Sequence, residues 1–182
     1  MNVFDSISRS AKELKNIKTL VLVSMLVALV VVLSFSTFYI LNTLRVSFTY
    51  IPIVIASTLF GPVVGAITGV LGDVLGYLTS QAGHGAYNIG FTINAFLNGF
   101  IYGLFLYRKF TPLRMVFAKI VQVLLVELLL TPLWLSLMYG DSYSVLLYGR
   151  LFKTIIFIPI EVFVMVVISK IVIKYSNKRG LV

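Results

Sequence analysis

Four side chains late in the chain, Arg150, Lys153, Phe157 and Glu161, carry the strongest chemical signal. At 100° per residue they fall within about 80° of one helix face. Two cations a turn apart suit an anion, and Arg adds a bidentate fork that matches a carboxylate. The acid further along the face allows a second arrangement. In that case Arg150 or Lys153 pairs internally with Glu161, or with Glu127 of the preceding apolar run. Ionisable residues in a membrane span turn to the bundle interior or a wet cavity. The residues leave both arrangements open, a structural ion pair or a cationic cavity for an anionic ligand.

Two further faces are polar. Phe91, Asn94, Asn98 and Tyr102 again share about 80° of arc. Asn brings donors and an acceptor, which suits a heterocycle with mixed edges. The plain alternative for either Asn is a helix–helix hydrogen bond. Glu127, Thr131, Trp134 and Met138 form the third face, and Pro132 is expected to kink that helix. Trp134 is the only tryptophan. Its two readings are a membrane-interface anchor and a stacking platform. Asp73 reads as a structural hydrogen-bonding acid or as a proton or cation site. His84, between glycines, reads as a solvated loop residue. With no cysteine and one histidine, no metal site, cofactor or catalytic constellation is expected, and no phosphate-loop ATPase motif occurs.

These faces need elements to hold them, and composition says which. Of 182 residues 59% are hydrophobic and 12% charged, with a mean hydropathy of +1.03. Such a chain is expected to be an all-α integral membrane protein, not a soluble enzyme. Charges are too scattered among apolar runs for a nucleic-acid face. A span needs about 20 helical residues. Six fit the chain, at about 19–40, 50–61, 62–79, 89–107, 115–138 and 148–173, in one domain covering 1–182. The second is the shortest. Gly61, Gly65, Gly69, Gly72 and Gly76 form a stripe, and Gly99 with Gly103 a GxxxG, for close helix packing. Residues 81–88 read as a loop.

Orientation follows from the cations. The net charge is +9, from fifteen Lys and Arg against six acids. Twelve of the fifteen (Arg9, Lys12, Lys15, Lys18, Arg108, Lys109, Arg114, Lys119, Lys170, Lys174, Lys178 and Arg179) fall on one side. The positive-inside rule makes that side cytoplasmic, with both termini there, and topology alone accounts for all twelve. Arg45, Arg150 and Lys153 belong to the other half. Within residues 1–18, Phe4, Ile7, Ala11 and Leu14 repeat at helical spacing among charges, as in a helix lying on the inner leaflet. Ser24 and Ala28 put a small-xxx-small pair on span one, able to pack inside the bundle or receive a helix of another subunit.

Several strings in this frame are familiar together. They are Arg45-Val-Ser-Phe-Thr-Tyr-Ile-Pro52, Leu59-Phe-Gly-Pro-Val-Val-Gly65, Gly72-Asp-Val-Leu-Gly-Tyr77 and Gly90-Phe-Thr-Ile-Asn-Ala-Phe-Leu-Asn-Gly99, with Arg150-Leu-Phe-Lys153 before Ile158-Pro-Ile-Glu161. With the size, span count and basic start, they make the chain resemble the substrate-binding S-components of energy-coupling-factor (ECF) vitamin transporters, most closely the folate-specific type. The resemblance implies a bacterial plasma-membrane protein that binds a vitamin on the outer side. It implies partners too: a membrane coupling subunit and two cytosolic ATPases, with import by toppling of the loaded S-component. The family's coupling motif is Ala-x-x-x-Ala, and here Ser24 and Ala28 stand in its place. The ligand set it suggests is Arg45, Tyr50, Phe91, Asn94, Asn98, Trp134, Arg150 and Lys153. The cations would hold folate carboxylates, the asparagines the pterin edges, and an aromatic ring its face. Two other readings remain. One is the same scaffold for another vitamin or heterocycle, and the other a stand-alone proton-coupled transporter using Asp73 or Glu161.

Overall fold

Helix after helix follows from runs of Leu, Val, Ile and Phe too long and too apolar for a half-solvated element. The computed structural model describes residues 3–36, 38–41, 44–79, 87–108 and 110–178. His84, Lys109 and Arg179 lie outside them. The order is α1 (Val3–Glu13), α2 (Ile17–Ser34), β1 (Phe38–Leu41), β2 (Leu44–Val46), α3 (Tyr50–Phe60), α4 (Pro62–Thr79), α5 (Ile89–Leu106), α6 (Pro112–Gln122), a π-helical segment (Val123–Leu130), α7 (Thr131–Tyr139) and α8 (Tyr143–Lys178).

Five helical stretches are long and apolar enough to cross a membrane: Ile17–Phe35, Pro62–Thr79, Ile89–Leu106, Pro112–Tyr139 and Lys153–Tyr175. Their outer faces are apolar, with Met25, Val32, Leu124, Leu129, Phe163 and Ile171 all exposed. In a bilayer such a belt meets lipid.

The expected first span, 19–40, runs too far. Its helix ends at Ser34, and the last residues instead pair as an antiparallel ribbon, Phe38 with Val46 and Tyr39 with Arg45. The all-α expectation therefore needs this one strand pair added. A short apolar run after the Ser34–Phe35–Ser36 break satisfies either geometry, and Phe, Tyr and Ile favour the strand. The 18 remaining helical residues still reach about 27 Å. The short run at 50–61 becomes α3, eleven residues with Pro52, Ile53, Val54, Ala56, Ser57, Thr58 and Phe60 all buried. At about 16 Å it is too short to cross alone. It is a helix wrapped by protein.

Two apolar clusters hold the bundle. Val54, Tyr102, Leu106, Met115, Ala118 and Met165 tie α3, α5, α6 and α8, while Val23, Val27, Phe60 and Val64 tie α2, α3 and α4. The glycine pattern works as the sequence suggests. A Cβ on Gly99 would fall inside the Gly65 backbone, and one on Gly69 would meet the Ala95 carbonyl, so α4 and α5 touch main chain to main chain. Ser57 Oγ bridges across, donating to Gly99 O at 2.9 Å.

The first helix does more than its apolar repeat suggests. Phe4 and Ala11 point outward, but Ser6 and Ser10 are buried. Ser10 Oγ accepts hydrogen bonds from Val63 N (3.1 Å) and Val64 N (3.2 Å). Those are two of the amides that every helix start leaves unpaired. A residue more than fifty positions away thus caps α4.

Candidate functional site

The polar faces of α5, the π segment, α7 and α8 converge on the bundle interior. Asn94, 6% exposed, is held from both ends of its amide: Nδ2 donates to Thr131 Oγ1 (3.1 Å), and Oδ1 accepts from Trp134 Nε1 (3.2 Å). Thr131 Oγ1 in turn donates to Val126 O at 2.6 Å, inside the π segment. The Trp134 ring lies directly on Gly90, where any Cβ would collide with it. Trp134 therefore faces α5 and the interior, and the interface-anchor reading gives way. Pro132 has no amide hydrogen for the carbonyl four residues back, Leu128 O. Tyr143 OH donates to that oxygen at 3.2 Å, so α8 covers what the proline leaves open.

Asn98 lies one turn below Asn94 and one above Tyr102 on the same face of α5. Asn94 meets Thr131 and Tyr102 meets Gln122, so Asn98 looks across the gap between them. Its Oδ1 is buried with no hydrogen-bond partner among the described residues.

Deeper lies a charge cluster. Lys119 of α6 is 3% exposed. Its Nζ donates to Glu161 Oε2 (2.6 Å), Gln122 Oε1 (2.9 Å) and Glu127 Oε1 (3.4 Å). Gln122 Nε2 reaches Glu127 Oε1 (3.4 Å), Tyr102 OH reaches Gln122 Oε1 (3.4 Å), and Thr154 Oγ1 reaches Glu127 Oε2 (3.5 Å). Beside it is a narrow cleft, too tight in this structure to hold a water-sized sphere, lined by Lys119, Glu127, Lys153, Thr154, Phe157, Ile158 and Glu161. Three residues of the α8 face that the sequence singled out, Lys153, Phe157 and Glu161, line this narrow cleft. Arg150, 8% exposed, is buried one turn above Lys153.

Lys119 corrects the sequence reading. Counted among the cations that topology explains, it is instead the interior partner of both Glu127 and Glu161. The signal was present in the phase of α6. Met115, Lys119, Gln122 and Val126 recur at helical spacing, and all four are buried. A lysine in register with Met115 and Val126 cannot be on the solvated face. Ser10 gave no comparable signal, because its partner lies so far along the chain.

The remaining residues divide. Tyr50 is partly buried against the α5–α6–α8 cluster, and Phe91 opens α5 one turn before Asn94. Arg45 pairs by its backbone with Tyr39 in the ribbon. Asp73 accepts a hydrogen bond from Thr92 (2.8 Å), whose hydroxyl also meets Tyr87 OH. The hydrogen-bonding reading of Asp73 is thus realised, between α4 and α5. Ser24 and Ala28 lie exposed on α2, where Ser24 Oγ donates to its own helix at Leu20 O (2.9 Å). Packing inside the bundle is therefore not their role. Among the described residues no His, Cys, Asp and Glu group is arranged to hold a metal.

An apolar outer belt around an inner column of amides, an indole and paired charges defines the class: a membrane protein with a polar interior. Sequence comparison narrows it. Residues 18–169 match the pattern of the family described as "ECF transporter, substrate-specific component". The chain belongs to that family. It is 32% identical over 154 residues to the folate transporter FolT of Clostridium novyi (strain NT), covering 83% of this chain and 87% of that one. It also superposes on a crystal structure of FolT bound with folic acid, with a TM-score of 0.78 and 39% identity over 85% of this chain and 96% of that chain.

Proposed function

We propose that this chain is the folate-binding S-component of an ECF-type transporter, taking the vitamin from the outer side of a bacterial plasma membrane. The observation that carries the reading is the likeness to folic-acid-bound FolT over nearly the whole of both chains. The ligand set is Arg45, Tyr50, Phe91, Asn94, Asn98, Trp134, Arg150 and Lys153. Arg150, Lys153 and Arg45 take the ligand's carboxylates, with Arg offering two parallel donors. Asn98 supplies a buried acceptor for a ring or amide N–H. Asn94 acts chiefly by fixing the Trp134 ring, which with Phe91 suits a flat heterocycle.

In this reading α3 completes a crossing with the ribbon before it. Six passages then bring both termini to the cytoplasmic side, in keeping with the eleven cations left once Lys119 is removed from the count. The exposed Phe4 face of α1 lies on the inner leaflet. The chain has no ATPase of its own. A membrane coupling subunit docks at Ser24 and Ala28 on exposed α2, and two cytosolic ATPases supply the energy.

Calorimetric titration of the purified protein with oxidised and reduced folates tests the assignment. Tight binding of one of them is expected. Binding of none, or preference for an unrelated vitamin, would overturn it. Uptake into proteoliposomes without ATPases, driven by a pH gradient, would instead favour a stand-alone transporter.

A further inference from the structure

The ammonium of Lys119 has three N–H donors, and the structure supplies three acceptor oxygens for them, from Gln122, Glu127 and Glu161. The oxygens come from three elements, α6, the π segment and α8. Two are carboxylates brought together inside a membrane bundle, and two adjacent carboxylates there cannot both stay ionised without a cation between them. Lys119 is the cation. Its stem is tethered to α6 between Met115 and Gln122, and its side chain is 4% exposed, so it does not exchange with solvent as a dissolved ion would.

We infer that Glu127, Glu161 and Gln122 form an oxygen-lined monovalent-cation site whose resident cation is covalent: the Lys119 ammonium. This arrangement is independent of ligand identity. It holds whichever vitamin the cleft accepts. A transporter driven by a sodium or proton gradient needs such a site to fill and empty from solution. Here it is permanently filled. Glu161, the acid the sequence offers as a proton site, is closed to that use by a 2.6 Å ion pair.

The groups facing the site are Tyr50 from α3, Tyr102 from α5, Gln122 from α6, Glu127 from the π segment, and Lys153, Thr154 and Glu161 from α8, with Arg150 one turn beyond Lys153 and outside the cleft lining. With Lys153 included, they carry two positive and two negative charges around the cleft. Removing Lys119 leaves one negative charge in excess, and a small cation that reaches the oxygens can restore the balance.

The test is the melting temperature of the unliganded, detergent-purified protein in sodium, potassium, lithium and choline chloride at one ionic strength, with folate titrations in the same salts. The native protein should behave alike in all four. Lys119→Ala should melt lower in choline and be restored by at least one alkali cation, with a ligand affinity about tenfold or more higher in that salt than in choline. The double variant Lys119→Met/Glu161→Gln removes one charge of each sign. It should fold and be indifferent to the cation. An alkali-ion requirement in the native protein would overturn the inference. So would Lys119→Ala that is equally impaired, or equally unimpaired, in every salt. If Lys119→Ala cannot be recovered in any salt and the double variant also fails, the charge argument is wrong. Because melting is measured without ligand, a failure to bind folate leaves this result standing.

Discussion

Asn94 and Asn98 are the same residue one turn apart, and the proposed function gives them opposite jobs. Their substitution by leucine, of similar volume, should therefore change stability and binding in opposite patterns. Asn94 loses two hydrogen bonds, and its loss leaves Trp134 Nε1–H without its acceptor. The Thr131 bond is worth about 1 kcal/mol net, and stranding the Trp134 donor costs about 1–3 kcal/mol. The expected destabilisation is about 2–4 kcal/mol, roughly 5–15 °C of melting temperature for a chain of this size. Asn98 has a buried Oδ1 without a partner among the described residues, so leucine removes a desolvated acceptor and strands nothing at that atom. Unliganded Asn98→Leu should melt at or above the native temperature. Its folate affinity should fall by about 5–30-fold, the equivalent of one ligand hydrogen bond of about 1–2 kcal/mol. Trp134, the only tryptophan, gives a local readout. Its emission should shift in unliganded Asn94→Leu and stay native in Asn98→Leu. Native folate affinity in Asn98→Leu, or equal loss of stability in both variants, would refute the division.

Three further outcomes follow from separate parts of the molecule. Ser10→Ala deprives Val63 N and Val64 N of their shared acceptor and should destabilise the protein by about 1–2 kcal/mol, lowering the melting temperature by roughly 2–8 °C without changing folate affinity. Lys153→Ala should weaken folate binding in a titration while leaving assembly with the coupling subunit intact in a pull-down; unchanged affinity would remove Lys153 from the ligand set. Ala28→Trp, on the exposed face of α2, should spare folate binding and abolish that pull-down, and normal co-purification would move the docking surface elsewhere.

Much of this was legible in the sequence because lipid imposes strong rules. Hydropathy places α4 and α5 within a residue or two, since only a helix can bury its own amides in hydrocarbon. The glycine stripe announces the α4–α5 contact, and the α8 spacing announces the cleft wall. What was illegible depends on phase or on distance. The π segment changes the number of residues per turn between Gln122 and Thr131. A face drawn through Glu127 at 100° per residue therefore does not show that it meets Lys119 on the preceding helix. The ribbon was hidden because Phe38–Leu41 is as apolar as the helix before it.

Charge arithmetic connects the cluster to the proposed ligand. Glu127 and Glu161 are balanced by Lys119 and Lys153, so the lower cleft carries no net charge. Arg150 is buried one turn above Lys153, outside that balanced group. On the proposed assignment a ligand with two carboxylates brings two negative charges, and Arg150 and Arg45 are the two arginines that meet them. In this account Lys119 is what makes the balance possible. Without its ammonium the two acids would face Lys153 alone, one negative charge would stay unbalanced, and Lys153 would have less to offer a ligand carboxylate.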